Sequence, residues 1–449
     1  MRRASLRVRW HLRLAGGAVL VLAQAGCGGG AAPVRATLSA TAVLGGADTA
    51  GFARAAAPRA FHFPTDHGPH PRFRNEWWYF TGNLVAPDGR RFGYELTFFR
   101  TALVAQPVAR PSDWATNQVY MAHFAITDSA SGRFRARDRF ERAGRVELAG
   151  AVAGESGVRV WVDDWEAESV GEWGSAGVWG NSAEGWRRSS CTHAAASRPV
   201  HAAIVASAVP HTPPLPHSPT AVWPLRLAAR DSAMALELTL GEGKPPVLEG
   251  QNGLSRKGPA AGDASYYYSL TRMPTTGWLE VDGRRWRVSG DSWMDREWST
   301  SALGRDEVGW DWFALQLADG RELMLYRIRR RDGSTSPFSA GTLVARDGGA
   351  RALAAADARV DVQRTWASPR DGTRYPARWR VRVPSAGLDL DVRPILADQE
   401  LNLAVRYWEG AVNVTGTGAG RAVGGWGYVE LTGYSAQPAG SPRGGSGLP

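Results

Sequence analysis

The side chains of this chain best suited to chemistry lie in Trp293-Met294-Asp295-Arg296-Glu297-Trp298 and, shortly after, in Trp310-Asp311-Trp312. Carboxylates set among tryptophans can line one end of an apolar cavity. A carboxylic acid on an apolar face resists ionisation, which is what a general acid working near neutral pH needs. On a strand, Asp311 shares a face with Phe313, Leu315 and Leu317, while Trp310 and Trp312 point the other way. Asp311, Asp295 and Glu297 are the candidate catalytic residues. The structural alternative is that Asp311 or Asp295 caps a turn or pairs with Arg296 or Arg305. The chain carries 20 tryptophans, which serve either as core filling in wide barrels or as an aromatic lining for an apolar or sugar ligand.

A second polar group precedes an aromatic run: Asp66-His67-Gly68-Pro69-His70, then Arg74-Asn75-Glu76-Trp77-Trp78-Tyr79. His62, His67 and His70 have metal-like spacing, but no matching cysteine or regular partner follows, so no metal site is assigned. His67, His70 and Glu76 are expected to form a hydrogen-bonded polar plug at a barrel entrance. His123, in Met121-Ala122-His123-Phe124, alternates with apolar neighbours; it either reaches a ligand or is a satisfied core histidine. No Gly-x-Ser-x-Gly elbow, P-loop or dinucleotide fingerprint is present, so serine hydrolase, nucleotide and hydride chemistry lack support.

The elements that must position these residues are strands. Two stretches are rough copies: Trp77-Trp78-Tyr79-Phe80 with the turn Asp88-Gly89-Arg90 and the return Tyr94-Glu95-Leu96, and Trp310-Asp311-Trp312-Phe313 with Asp319-Gly320-Arg321 and Tyr326. In both, an alternating aromatic strand meets an Asp-Gly turn and comes back, a strong hairpin signal. Short alternating strands recur along the chain without helical stripes, which predicts an all-β protein of two related antiparallel domains in tandem. The expected division is a first domain over 60–273, with a low-complexity insertion at about 170–224, a second over 274–435, and a disordered tail over 436–449.

The N-terminus reads as an export signal over 1–27: arginines precede an apolar run too short to span a bilayer. Ala25-Gly26-Cys27 predicts a lipoprotein signal with Cys27 as the lipidated residue, and 28–59 reads as a flexible tether. The expected location is outside the cytoplasm, in the periplasm or anchored at a bacterial outer membrane, with membrane contact only through that lipid. The formal charge of +10 owes five of its positive charges to the signal arginines, and the remaining arginines are interspersed with acids. That excludes a nucleic-acid partner. Cys27 and Cys191 are the only cysteines, so no disulfide framework exists.

Asp66-His67-Gly68, Glu76-Trp77-Trp78-Tyr79 with Thr81-Gly82, Tyr94-Glu95-Leu96-Thr97-Phe98-Phe99-Arg100, Ser255-Arg256-Lys257-Gly258, Tyr266-Tyr267-Tyr268-Ser269, the two tryptophan motifs above and Tyr407-Trp408-Glu409-Gly410 together resemble the AttH/CrtC family. The resemblance runs from about Phe61 to Tyr434. It implies two lipocalin-like (calycin) antiparallel β-barrels. One branch of the family comprises carotenoid 1,2-hydratases, also called hydroxyneurosporene synthases, which add water to a terminal double bond without a cofactor. The other comprises exported proteins often encoded beside an ABC transporter, and the signal and the Trp-Met-Asp-Arg-Glu-Trp motif place this chain nearer to it. On the hydratase reading, Asp311 is the acid, Asp295 or Glu297 positions water, and Trp77, Trp78, Tyr79, Trp293, Trp298, Trp310, Trp312 and His123 contact the ligand in a barrel cavity. The competing readings are a carrier handing a lipid or lipoprotein acyl chain to or from a transporter permease, and a glycan-acting protein using Glu297 and Asp295.

Overall fold

A sheet with one apolar face must curl or be covered to bury it, and this chain curls twice. The computed structural model describes residues 38–39, 49–106, 111–112, 114–144, 146–154, 157–170, 222–301, 303–304 and 306–434. Among them, strands form a 13-stranded and an 11-stranded sheet, antiparallel apart from one short parallel pairing, and the only helical turns are Thr65–His67 and Pro384–Ala386. Cys27 and residues 171–221, most of the expected insertion, lie outside the described residues.

The copied hairpins are Asn75–Val85 with Arg91–Ala102, and Glu307–Leu317 with Glu322–Arg330. Gly89 and Gly320 turn them at φ +83° and +86°, where a side chain would be strained. Each hairpin pairs with the last strand of its own sheet, Arg284–Ser301 in the first and Arg421–Leu431 in the second. The first sheet nearly closes, because Gln118–Asp128 and Arg133–Arg142 come round against Ala149–Gly154 and Gly157–Val162. Its interior is filled by side chains such as Trp78, Phe80, Tyr94, Phe98, Trp165 and Trp298, and the second core by Phe313, Leu315, Trp379, Leu390, Trp408 and Val429. Both interiors are packed with these side chains, and the aromatic cavity described below lies between the sheets, which corrects the expectation that the aromatic site is inside a barrel.

The division at 273/274 is also corrected. Ala264–Val281 and Arg284–Ser301 are strands of 18 residues each, and both belong to the first sheet, so the second, apart from the short strand Leu38–Ser39, begins at Glu307. The expected boundary falls just after a register shift between Leu270 and Met273 within one strand: a bulge resets the alternation without ending the strand. Arg133–Arg142, an edge strand of the first sheet, is too rich in arginine to show an apolar alternation.

The two sheets meet through their outer faces. A third apolar cluster joins Tyr79, Tyr267 and Trp293 of the first to Trp312, Met324, Tyr326 and Tyr428 of the second. Gly93 makes the approach possible: a Cβ there would lie 2.4 Å from that of Ala411 on the other barrel. Asn83 donates to the Gly427 carbonyl at 3.1 Å and Thr127 to Gln399 at 2.7 Å across the same seam.

Candidate active site between the barrels

Period-two geometry aims the outward residues of both hairpins at one space. Trp77 and Tyr79 project from the first, Trp310 and Trp312 from the second, into one cavity. The residue between each pair points the opposite way. Asp295 stands opposite Tyr79 in the first ladder and Glu430 opposite Trp312 in the second, so the duplication sets one acid at matching register in each barrel. Glu297 and Glu409 also line the cavity, with Lys257 and His123.

Asp295 is held by three donors. Its Oδ1 accepts the Trp293 indole N–H at 2.7 Å and the Ser269 hydroxyl at 2.6 Å, and its Oδ2 accepts the Tyr267 hydroxyl at 2.5 Å. Tyr267 in turn accepts from Trp312 Nε1 at 3.1 Å. Burial raises the Asp295 carboxyl to about 7, against the opposing pull of these donors. Glu297 lies 3.5 Å from the Lys257 ammonium, which sits 3.8 Å from the centre of the Tyr326 ring. Burial disfavours the Lys257 charge, but Glu297, Tyr326 and Glu249 together outweigh it and hold the ammonium above its ordinary value.

Glu409 anchors the opposite wall and accepts the Tyr79 hydroxyl across the seam. Burial and the neighbouring Glu95 and Glu430 push its carboxyl well above the usual range. Desolvation likewise raises Glu430 to about 8 and Glu95, just behind the wall, to about 7. Tyr407 bridges His123 and Glu95: its hydroxyl is 2.7 Å from His123 Nδ1 and 3.2 Å from Glu95 Oε1. Burial lowers His123 to about 4, so the imidazole is neutral, and its Nε2 has no protein partner. Four cavity carboxyls facing one ammonium cannot all ionise in so apolar a space, so several remain as neutral proton donors.

The residues singled out from sequence divide sharply. Asp295, Glu297, Trp77, Tyr79, Trp310, Trp312 and His123 converge on the cavity. Asp311 does not: it is fully buried behind the wall, where Arg329 lies 3.0 Å away, Arg327 3.5 Å away, and Tyr434 donates at 2.8 Å. It is a structural ion-pair member, because alternation that turns its two tryptophans to the cavity must turn it to the opposite face, the one that carries Phe313 and Leu315. Trp78 belongs to the first core, donating to the His67 carbonyl at 2.7 Å beneath the Arg296 guanidinium, and Trp298 stacks on His70 at 3.7 Å in the same core. Trp293 stands behind the lining and orients Asp295.

His67, His70 and Glu76 guard no ligand entrance. Glu76 is fully buried between Arg100 and Arg296, which hold its carboxyl far below the usual range despite burial, and His70 lies 3.3 Å from Glu76 and 3.0 Å from Asp66. His67 meets the Tyr268 hydroxyl at 2.6 Å, and burial lowers it to about 3. With Phe61, Phe63 and Phe73 packed against the first core, these residues seal that barrel.

Sequence reasoning assigned no role to Glu409, Glu430, Glu95, Tyr267, Tyr407 or Lys257. The available signal was a carboxylate inside an alternating apolar strand, as in Val429-Glu430-Leu431. What it could not supply is the meeting of two outer faces.

Comparison with known proteins agrees with this architecture. The AttH-like family matches residues 54–184 and 180–434. A crystal structure from Nitrosomonas europaea, provisionally named AttH, is 31% identical, with 86% of this chain and 100% of that chain covered and a TM-score of 0.65. Kievitone hydratase from Nectria haematococca is 14% identical, covers 89% of this chain and 96% of its own, and has a TM-score of 0.54, a likeness of fold alone. No curated protein matches the chain. Two barrels joined outer face to outer face, with family matches spanning both, place this chain in the AttH-like family.

Proposed function

We propose that the protein binds an apolar unsaturated ligand between its barrels and adds water across a C=C bond by carboxylic-acid catalysis. The observation that carries this reading is Asp295, a carboxyl raised to about 7 and facing an aromatic cavity. An acid of that strength exists in both protonation states at neutral pH, as a general acid must. The fold shared with a hydratase supports the reading.

Asp295 gives its proton to one alkene carbon, and the carbocation left on the other lies among the faces of Trp77, Trp310 and Trp312. Water adds to that carbon and releases a proton to a carboxylate of the cavity, for which Glu297 beside Lys257 is placed. His123 Nε2, unpartnered and neutral, orients the water. The proton lost by Asp295 is thus balanced by the one taken from water, and no net charge accumulates.

The test is incubation of the protein with acyclic isoprenoids in isotopically labelled water, reading labelled alcohol by mass spectrometry. Product from the parent, reduced about 10²–10⁴-fold in Asp295→Asn, is expected. Ligand that binds but returns unchanged from the parent would overturn the catalytic reading and leave a carrier.

A further inference from the structure

Behind Asp295, outside the cavity lining, a second buried carboxyl approaches the same hydroxyl. Ser269 Oγ lies 2.6 Å from Asp295 Oδ1 and 3.0 Å from Glu249 Oε1. All three residues are buried, Ser269 and Glu249 completely. A hydroxyl owns one proton and cannot donate to two carboxylates at once. The arrangement is satisfied when one carboxyl is itself protonated and donates to the serine oxygen.

The partners identify which one. Asp295 receives the Trp293 indole N–H, which can only donate, and so offers an acceptor there. Glu249 has only hydroxyl partners, Ser269 and Thr342, and a hydroxyl can accept as well as donate. Glu249 is therefore the group placed to hold the proton. The charged and titratable neighbours are Tyr267 beside both carboxyls, Lys257 beside Glu249, and Glu297 and Glu430 beside Asp295. Lys257 alone among them is cationic, and Glu297 engages it.

We propose that Glu249, Ser269 and Asp295 form a buried relay in which Glu249, as a positioning residue, keeps a proton available to the cavity acid. As Ser269 passes its proton to Asp295, Glu249 passes its own to Ser269, and the charge of the trio is unchanged. This rests on Asp295 being the acid of the proposed hydration, and it adds a proton source that never touches the ligand.

The relay can be read without turnover. The Trp293 indole N–H reports on Asp295, and its nitrogen resonance can be followed against pH in the full chain with labelled tryptophan, assigned by its loss in Trp293→Phe. In the parent, the signal should move over a span broader than a one-proton curve, because Asp295 and Glu249 titrate together near 7 and 8. In Glu249→Gln the span should narrow by the loss of Glu249's share, leaving only the coupling of Asp295 to Glu297 and Glu430. Ser269→Ala, which keeps both carboxyls but removes a donor from Asp295, should shift the curve to higher pH. A Glu249→Gln curve identical to the parent's, in a protein whose thermal unfolding is unchanged, overturns the relay. A normal relay signature with no hydration in any variant would sink the hydratase reading and leave the relay standing.

Discussion

Asp295 should make the protein less stable as pH rises, and replacing it should remove that cost. Its carboxyl ionises near 3.8 in an unfolded chain and near 7 in the fold, where burial opposes the charge. Between those values the native state binds a proton that the unfolded state has released. The folded value is the raised one, so this contribution is complete below about pH 3.8 and fades as pH climbs through 7. The slope is about 1.4 kcal/mol per pH unit per proton, so the full span is worth about 4 kcal/mol as an upper figure. Asp295→Asn keeps the shape and can accept from Trp293 and Ser269 while donating to Tyr267. It should therefore flatten the pH dependence by close to one proton and be more stable than the parent at pH 8. Urea unfolding of both proteins from pH 5 to 8 measures this directly. Parallel curves, with the variant losing stability as fast as the parent, would refute the claim that burial holds this carboxyl protonated.

Other outcomes follow from the same geometry. Glu76→Gln leaves two buried guanidiniums without their counter-charge and should cost about 3–5 kcal/mol in urea unfolding at neutral pH. Asp311→Ala should destabilise by a similar amount, stranding Arg329, yet leave ligand affinity unchanged in a fluorescence titration, because its carboxyl faces away from the cavity. Trp312→Ala should weaken binding of an apolar ligand at least tenfold, about 1.4 kcal/mol, in the same titration. Cys27→Ser should abolish incorporation of a labelled fatty acid in a bacterial host, and incorporation that persists would refute the anchor read from the N-terminus.

The sequence by itself determined most of the strands, the duplicated hairpin and which of its aromatic residues share a face, because side-chain alternation is a property of the local backbone. It also determined the family, and it placed Asp295 and Glu297 among aromatic residues. Alternation already separated Asp311 from Trp310 and Trp312, since the residue between two tryptophans of one face points to the other. Tertiary structure alone decided which face of each strand becomes the site. Large aromatic residues occur on both faces of these strands, and nothing local tells Trp78, which fills a barrel, from Tyr79, which meets the other barrel. The pairing of Tyr79 with Glu409 and of His123 with Tyr407 joins residues hundreds of positions apart. So does the desolvation that keeps these acids neutral: it arises only when two outer faces close on one another and exclude water.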